Sequence, residues 1–299
     1  MSDGRGSSSG EPPVDEHCGR APAQPLRPYV AWYTGYRQRG MPPARHRGLP
    51  SPFLTLIFTL DEPLTVLAHP DPGQPPGDFG TLLGGLHSAP ALIAHGGAQS
   101  GIQVALRPLG ARALLGMPAG ELAELDVPAE TVLGGVCAEL RARTLTAVGW
   151  RDRFAVLDEI LLRLAGQWRT GRPQPPAPEI RWAWCQLLKS GGTMRVSDLA
   201  AGTGWSGRHL ASRFRTEIGL TPKTAARVIR FSRARNFLVR HIADQEHRLA
   251  DLAAACGYFD QAHLAREFRS LAGCPPSQWL TEEFRNVQAG NWAAEEAWS

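Results

Sequence analysis

Two stretches in the last third of this 299-residue chain set polar and cationic side chains at helical intervals. One carries Arg208, Ser212 and Arg215; the other begins at Gln261 and continues with His263, Arg266 and Arg269. Spacings of three and four return a helical side chain to the same face, so Arg208, Ser212 and Arg215 share one polar face and His263, Arg266 and Arg269 share another, with Gln261 at the start of its stretch. An Arg pairs bidentately with the edge of guanine and a Gln with that of adenine, whereas cations further along a helix neutralise backbone phosphates. The chemistry these residues imply is recognition of double-stranded DNA. Arg208, Gln261 and Arg266 are the leading base readers, Ser212 and His263 the secondary ones. Arg215 and Arg269 stand where phosphates would be met, and Ser206 where a phosphate would meet a helix N-terminus.

Other reactive residue types do not assemble into a site. His46, His69, His87 and His95 all precede residue 100, but none forms His-x-His and no Glu follows at a ligand spacing. Four unrelated histidines are therefore expected, and an enzyme with a cupin-like metal site is the less favoured alternative. No nucleophile elbow, Walker loop or dinucleotide glycine pattern occurs, so no catalytic residue, metal or cofactor is expected. The five cysteines are odd in number and scattered, with no Cys-x-x-Cys, which fits neither a disulfide framework nor a zinc site.

The polar faces lie within a repeat. Asp198, Leu199 and Ala200 match Asp251, Leu252 and Ala253. After a turn that differs by one residue, Leu210, Phe214, Arg215, Gly219 and Pro222 match Leu264, Phe268, Arg269, Gly273 and Pro276. Each copy has the grammar of a helix-turn-helix: a short Ala/Leu-rich helix, a glycine (Gly204 or Gly257) suited to a left-handed helix end, and a capping residue (Ser206 or Asp260) opening a second helix. The apolar backs of the second helices are Leu210, Phe214 and Ile218, then Leu264, Phe268 and Ala272. Residues 222–240 predict a connecting helix that starts at a proline and spans roughly 28 Å at 1.5 Å per residue. That length approaches the roughly 34 Å of one DNA turn, so both reading helices could meet successive major grooves.

From Arg181 to Leu280 this pattern resembles the AraC/XylS family of transcription regulators. The stretch from Gly257 to Arg269, followed by Gly273 and Pro276, carries most of the likeness. Gly207 and Ala211 depart from the larger side chains common in the first reading helix, leaving Arg208 as its main reader. The resemblance implies a preceding domain that senses a small molecule or mediates dimerisation. The segments 46–52 and 108–116 are similar to parts of such sensor domains. It also implies contact with RNA polymerase if the protein activates.

The remaining sequence fits that plan. Residues 179–285 carry 16 Lys and Arg against 10 Asp and Glu, while the rest of the chain has a small acidic excess, so the positive charge sits with the repeat. Residues 1–25, rich in Gly, Ser and Pro, are expected to be disordered. An α+β domain is expected over 26–169, a strand-rich half followed by helices. A proline-rich linker follows at 170–179, then an all-α domain at 180–285 with both helix-turn-helix units, and a tail at 286–299. Within 26–106, Trp32, Tyr33, Tyr36, Phe53 and Phe58 are candidates to line an effector pocket; the effector itself is unknown. A stripe of Phe154, Leu157, Leu161, Leu164 and Trp168 predicts a core-facing helix, with a homodimer contact as the sharper alternative. The other alternative for the whole chain is a DNA-binding protein without effector, its first domain serving dimerisation. No run of about eighteen apolar residues and no apolar signal core occur, so a cytoplasmic protein is expected.

Overall fold

The computed structural model describes residues 12–167, 174–240 and 249–283. The first domain is built on two antiparallel sheets. Its strands are β1 (Val14–Arg20), β2 (Val30–Arg39), β3 (Ala44–Gly48), β4 (Leu54–Thr59), β5 (Leu64–Ala68), β6 (Gly77–Phe79), β7 (Thr81–Gly84), β8 (Ala91–His95), β9 (Gln99–Leu106) and β10 (Asp126–Val127). Six of them form one sheet in the order β1-β2-β9-β4-β7-β10, and four form the other in the order β3-β8-β5-β6. Helices α1 (Ala111–Leu115), α2 (Glu130–Leu133), α3 (Gly135–Thr146) and α4 (Gly149–Gln167) follow the strands, apart from the late β10.

The period-two alternation of the strands assigns each face of the large sheet a different job. Leu54, Leu56 and Phe58 of β4, with Ile102, Val104 and Leu106 of β9, face a core shared with α4. Thr55 and Ile57, with Gln103 and Ala105, point to the other side, where the small sheet lies. The aromatic residues divide the same way. Trp32, Tyr36 and Phe53 face the space between the sheets. Tyr33 and Phe58 are instead core residues on the helix side, Tyr33 stacking on Phe154 at 5.7 Å. As adjacent strand residues, Trp32 and Tyr33 cannot share a face.

The α4 stripe is core. Phe154, Leu157, Leu161 and Leu164 are buried against the large sheet within one chain, so these four are not free for a dimer contact; Trp168 lies outside the described residues. Gly35 on β2 is required here, because a Cβ would stand 2.3 Å from the Trp150 ring of α4. Asp158 pins the same helix: one carboxylate oxygen accepts from the Tyr33 hydroxyl and the Ala23 amide, both at 2.9 Å, and the other from Arg20 at 3.2 Å.

Residues 14–20, within the stretch expected to be disordered, form β1. Composition alone misleads there, because pairing along the whole of β1 with β2 satisfies the backbone groups that a short polar segment could not satisfy by itself. The linker also ends earlier than expected: residues 174–177 have no regular secondary structure, and Pro178 already occupies the first turn of a helix.

The second domain is all-α. It comprises α5 (Pro178–Lys189), α6 (Val196–Thr203), α7 (Gly207–Ile218), α8 (Pro222–Arg240), α9 (Leu249–Ala255), α10 (Gln261–Ala272) and α11 (Pro276–Glu283). No described helix is long and apolar enough to cross a membrane. The described cysteines, Cys18, Cys137, Cys185, Cys256 and Cys274, are all free thiols.

Asp158→Ala would strand the buried Tyr33 hydroxyl and the Ala23 amide, and each unsatisfied group costs about 1–3 kcal/mol. Denaturant unfolding of the full chain should show a stability loss of at least that size, with Asp158→Asn losing less.

Candidate nucleic-acid interface

Both repeats fold as their residues dictate. Helix α6 ends at Gly204 in the left-handed conformation (φ 70°), and the Ser206 hydroxyl then caps α7 by accepting from the His209 amide at 3.2 Å. In the second copy Gly257 (φ 77°) follows α9, and an Asp260 carboxylate oxygen accepts from the His263 amide at 2.6 Å. The backs of α7 and α10, Leu210, Phe214 and Ile218 with Leu264, Phe268 and Ala272, are all buried. Phe268 packs edge-on against Phe231 of α8 at 4.9 Å.

The outer faces are open. Ser206, Arg208, Ser212 and Arg215 are exposed along α7, and Gln261, Arg266 and Arg269 along α10. His263 differs: it is half-buried, lies edge-on to Tyr258 at 5.3 Å, and its Nδ1 accepts from the Phe259 amide at 3.3 Å. Its ring is engaged in holding the turn that opens α10.

Helix α8 fixes α7 relative to α10. It runs over residues 222–240, as the sequence predicts, with Val228, Ile229 and Phe231 in the core between the units. Glu267, on α10, is buried and accepts from Arg227 at 2.8 Å and from Arg230 at 3.2 Å. Arg230 also donates to the Gly192 carbonyl at 2.8 Å. Position 267 aligns with Arg213 in the first repeat, and the sign reversal there is explained by this clamp. Nothing in the repeat pattern identifies Arg227 and Arg230 as its partners, since they sit 40 and 37 residues away.

The first domain grips the first unit. Arg112 of α1 donates two hydrogen bonds, at 2.9 and 2.8 Å, to the buried carboxylate of Glu217 on α7, and that pairing raises the Arg112 pKa. Gly120 lies so close to the C-terminal end of α7 that a Cβ there would meet the Thr216 carbonyl oxygen at 2.2 Å. Leu86 of the first domain is part of the helical core of the second. Arg47 pairs with Glu282 on α11.

Between the two sheets lies a cavity of about 160 Å³. Its apolar wall includes Trp32, Phe53, Ile57, Val66 and Ile93, and Arg235, Asn236 and Val239 of α8 with Trp279 of α11 line it from the second domain. His46 Nδ1, Asn236 Oδ1 and Trp279 Nε1 are buried without a hydrogen-bond partner. Burial, reinforced by neighbouring His95, lowers the His46 pKa to about 4, so this ring is neutral at physiological pH. At another part of the wall Asp126 is shared by His69 (2.8 Å) and His87 (3.4 Å). The four histidines are thus two related pairs rather than four unrelated residues. Among the described residues no group of three or more His, Cys, Asp or Glu is placed to hold a metal.

Residues 199–282 match the model of a family described as a helix-turn-helix domain. Residues 20–128 match a second family, described as a domain of unknown function (DUF6597). The uncharacterized HTH-type transcriptional regulator YbfI of Bacillus subtilis (strain 168) is 31% identical over 91 residues, which cover 30% of this chain and 31% of that protein. The chain thus matches about a third of the length of this curated relative. Among solved structures, ToxT from Vibrio cholerae is similar at 13% identity with a TM-score of 0.49, covering 84% of this chain and 97% of that one. The AraC-like transcriptional activator CuxR is similar at 13% identity and a TM-score of 0.31, covering 71% and 84%.

The ion pair between the domains yields a measurable expectation. Arg112→Ala leaves the Glu217 carboxylate buried and unpaired, which should cost about 2 kcal/mol. A double variant, Arg112→Leu with Glu217→Leu, should recover most of it, because no uncompensated charge remains. Equal losses in the single and double variants would contradict the pairing.

Proposed function

We propose that this chain, whose residues 199–282 form a helix-turn-helix domain of the AraC type, is a sequence-specific, effector-responsive regulator of transcription. In this reading α7 and α10 enter successive major grooves of promoter DNA. The observation that carries it is a pair of capped helices, each with a buried apolar back and an exposed face of Arg and amide or hydroxyl groups, joined by one rigid 19-residue helix. Arg208, Gln261 and Arg266 read base edges, with Ser212 in support. Arg215, Arg269 and Ser206 hold phosphates and so set register. His263 contributes by fixing the turn that presents α10.

The effector site is the cavity between the sheets. Its support is its walls: a molecule bound there would touch strands of the first domain and also α8 and α11 of the second. Binding energy can then differ between two arrangements of the domains, which is what regulation requires. A cavity of this size suits a molecule of about one aromatic ring, since an apolar cavity of roughly 150 Å³ holds benzene. The unpartnered polar atoms specify its polar end. Trp279 Nε1 calls for an acceptor and Asn236 Oδ1 for a donor, so the molecule carries both functions.

Two experiments test this. Arg266→Ala should relax preference at one base pair, since a bidentate Arg–guanine contact discriminates by about 1–3 kcal/mol. Arg269→Ala should weaken binding to all sequences alike and reduce the slope of log affinity against log salt by about 0.9. Indistinguishable behaviour would refute the division of roles. For the effector, a thermal-shift screen of small ring compounds bearing a donor and an acceptor should give hits that raise Tm and change operator affinity. Ile57→Trp, which fills the cavity, should abolish both responses and leave effector-free DNA binding intact.

A further inference from the structure

Phe259 is 92% exposed, the most exposed large apolar side chain among the described residues. The repeat shows what is unusual about it. Trp205 follows Gly204 in the first unit and Tyr258 follows Gly257 in the second, and both rings pack inward, Trp205 edge-on to His209 at 4.7 Å and Tyr258 buried beside His263. In the first unit the capping residue comes next, but in the second Phe259 is interposed before Asp260. It is the one residue by which the second turn is longer. Its ring has no aromatic, hydrogen-bond or ionic partner among the described residues.

Its position is nevertheless fixed. The Phe259 amide donates to His263 Nδ1, Tyr258 on one side is buried, and Asp260 on the other is committed as the cap. The backbone therefore places the ring at the N-terminal end of α10, near Gln261, the end of a recognition helix that meets base edges. A phenyl ring left in water at that place, and only in the unit with the longer turn, is available to an apolar partner. The major groove offers polar donors and acceptors at each base pair and one apolar group, the 5-methyl of thymine, to which Phe is suited.

We propose that Phe259 is a specificity residue of the second unit, packing on the methyl group of a thymine in the bound DNA. This rests on the DNA-reading role assigned above and goes beyond it by naming a base and an atom. The test uses the full chain with an operator recovered by selection from random duplex DNA. Each thymine is then replaced in turn by deoxyuridine, which lacks only the methyl group. The native chain should lose about threefold to fivefold in affinity at one thymine within the second unit's footprint, the loss expected for exposing one buried methyl. Phe259→Ala should show that same loss on the unmodified operator and no further loss on the deoxyuridine version. Phe259→Leu should retain part of the effect, and both variants should melt at the native temperature because the ring has no partner to lose. The proposal is overturned if Phe259→Ala binds as the native chain does, or if it binds more weakly but still responds to deoxyuridine at that position. A variant with intact DNA binding and deoxyuridine response but lost activation in a purified transcription system would also overturn it, placing the ring against protein. If the native chain selects no sequence at all, the DNA-reading role itself fails, a result distinct from all of these.

Discussion

Helix α8 has to satisfy several neighbours at once with 19 residues, and the arrangement of the molecule follows from that constraint. Its apolar side, with Val228, Ile229 and Phe231, is the core against which both helix-turn-helix units pack. Its arginines Arg227 and Arg230 converge on Glu267 and so hold α10 in place. Residues near its C-terminal end, Arg235, Asn236 and Val239, line the cavity of the other domain. A rod with these attachments sets the separation of α7 and α10 and also forms part of the cavity wall. An isolated helix of this composition would gain little from propensity alone; the packing on its different sides makes it a fixed element.

The large sheet obeys a parallel logic. Alternation sends one set of side chains into a core with α4 and the other toward the cavity, so that Tyr33 reaches the buried carboxylate of Asp158 while Trp32 and Tyr36 line the space between the sheets. Contact between the domains combines both kinds of force. Leu86 enters the helical core, and the charges of Arg112 and Glu217 meet where each would be costly to bury alone. The C-terminal end of α7 is thereby braced by the first domain, whereas its N-terminal half, with Ser206 and Arg208, stays open.

Local features were legible in the sequence because local rules produce them. Caps at Ser206 and Asp260, left-handed ends at Gly204 and Gly257, the span of α8 and the buried stripes of α7 and α10 each depend on residues within a few turns of one another. Features that depend on distant partners were not. Arg112 and Glu217 are 105 residues apart, and His69 and Asp126 are 57 apart; neither pairing leaves a periodic trace. Residues 14–20 look like a polar tail until β2 supplies their hydrogen-bond partners. Assignment of five aromatic residues to a pocket failed for Tyr33 and Phe58, since proximity in sequence does not say which sheet face a residue takes. That α8 and α11 line the cavity could be seen only once the two domains were brought together.

In the proposed binding mode one chain reads two successive major grooves through α7 and α10, held apart by α8. Methylation protection of guanine N7 by the full-length protein, on an operator selected from random duplex DNA, examines it most directly because that atom lies in the major groove. The expected pattern for each bound chain is two clusters of protection on one face of the duplex, about 10 base pairs apart. A single cluster, or protection with no fixed spacing, would contradict it.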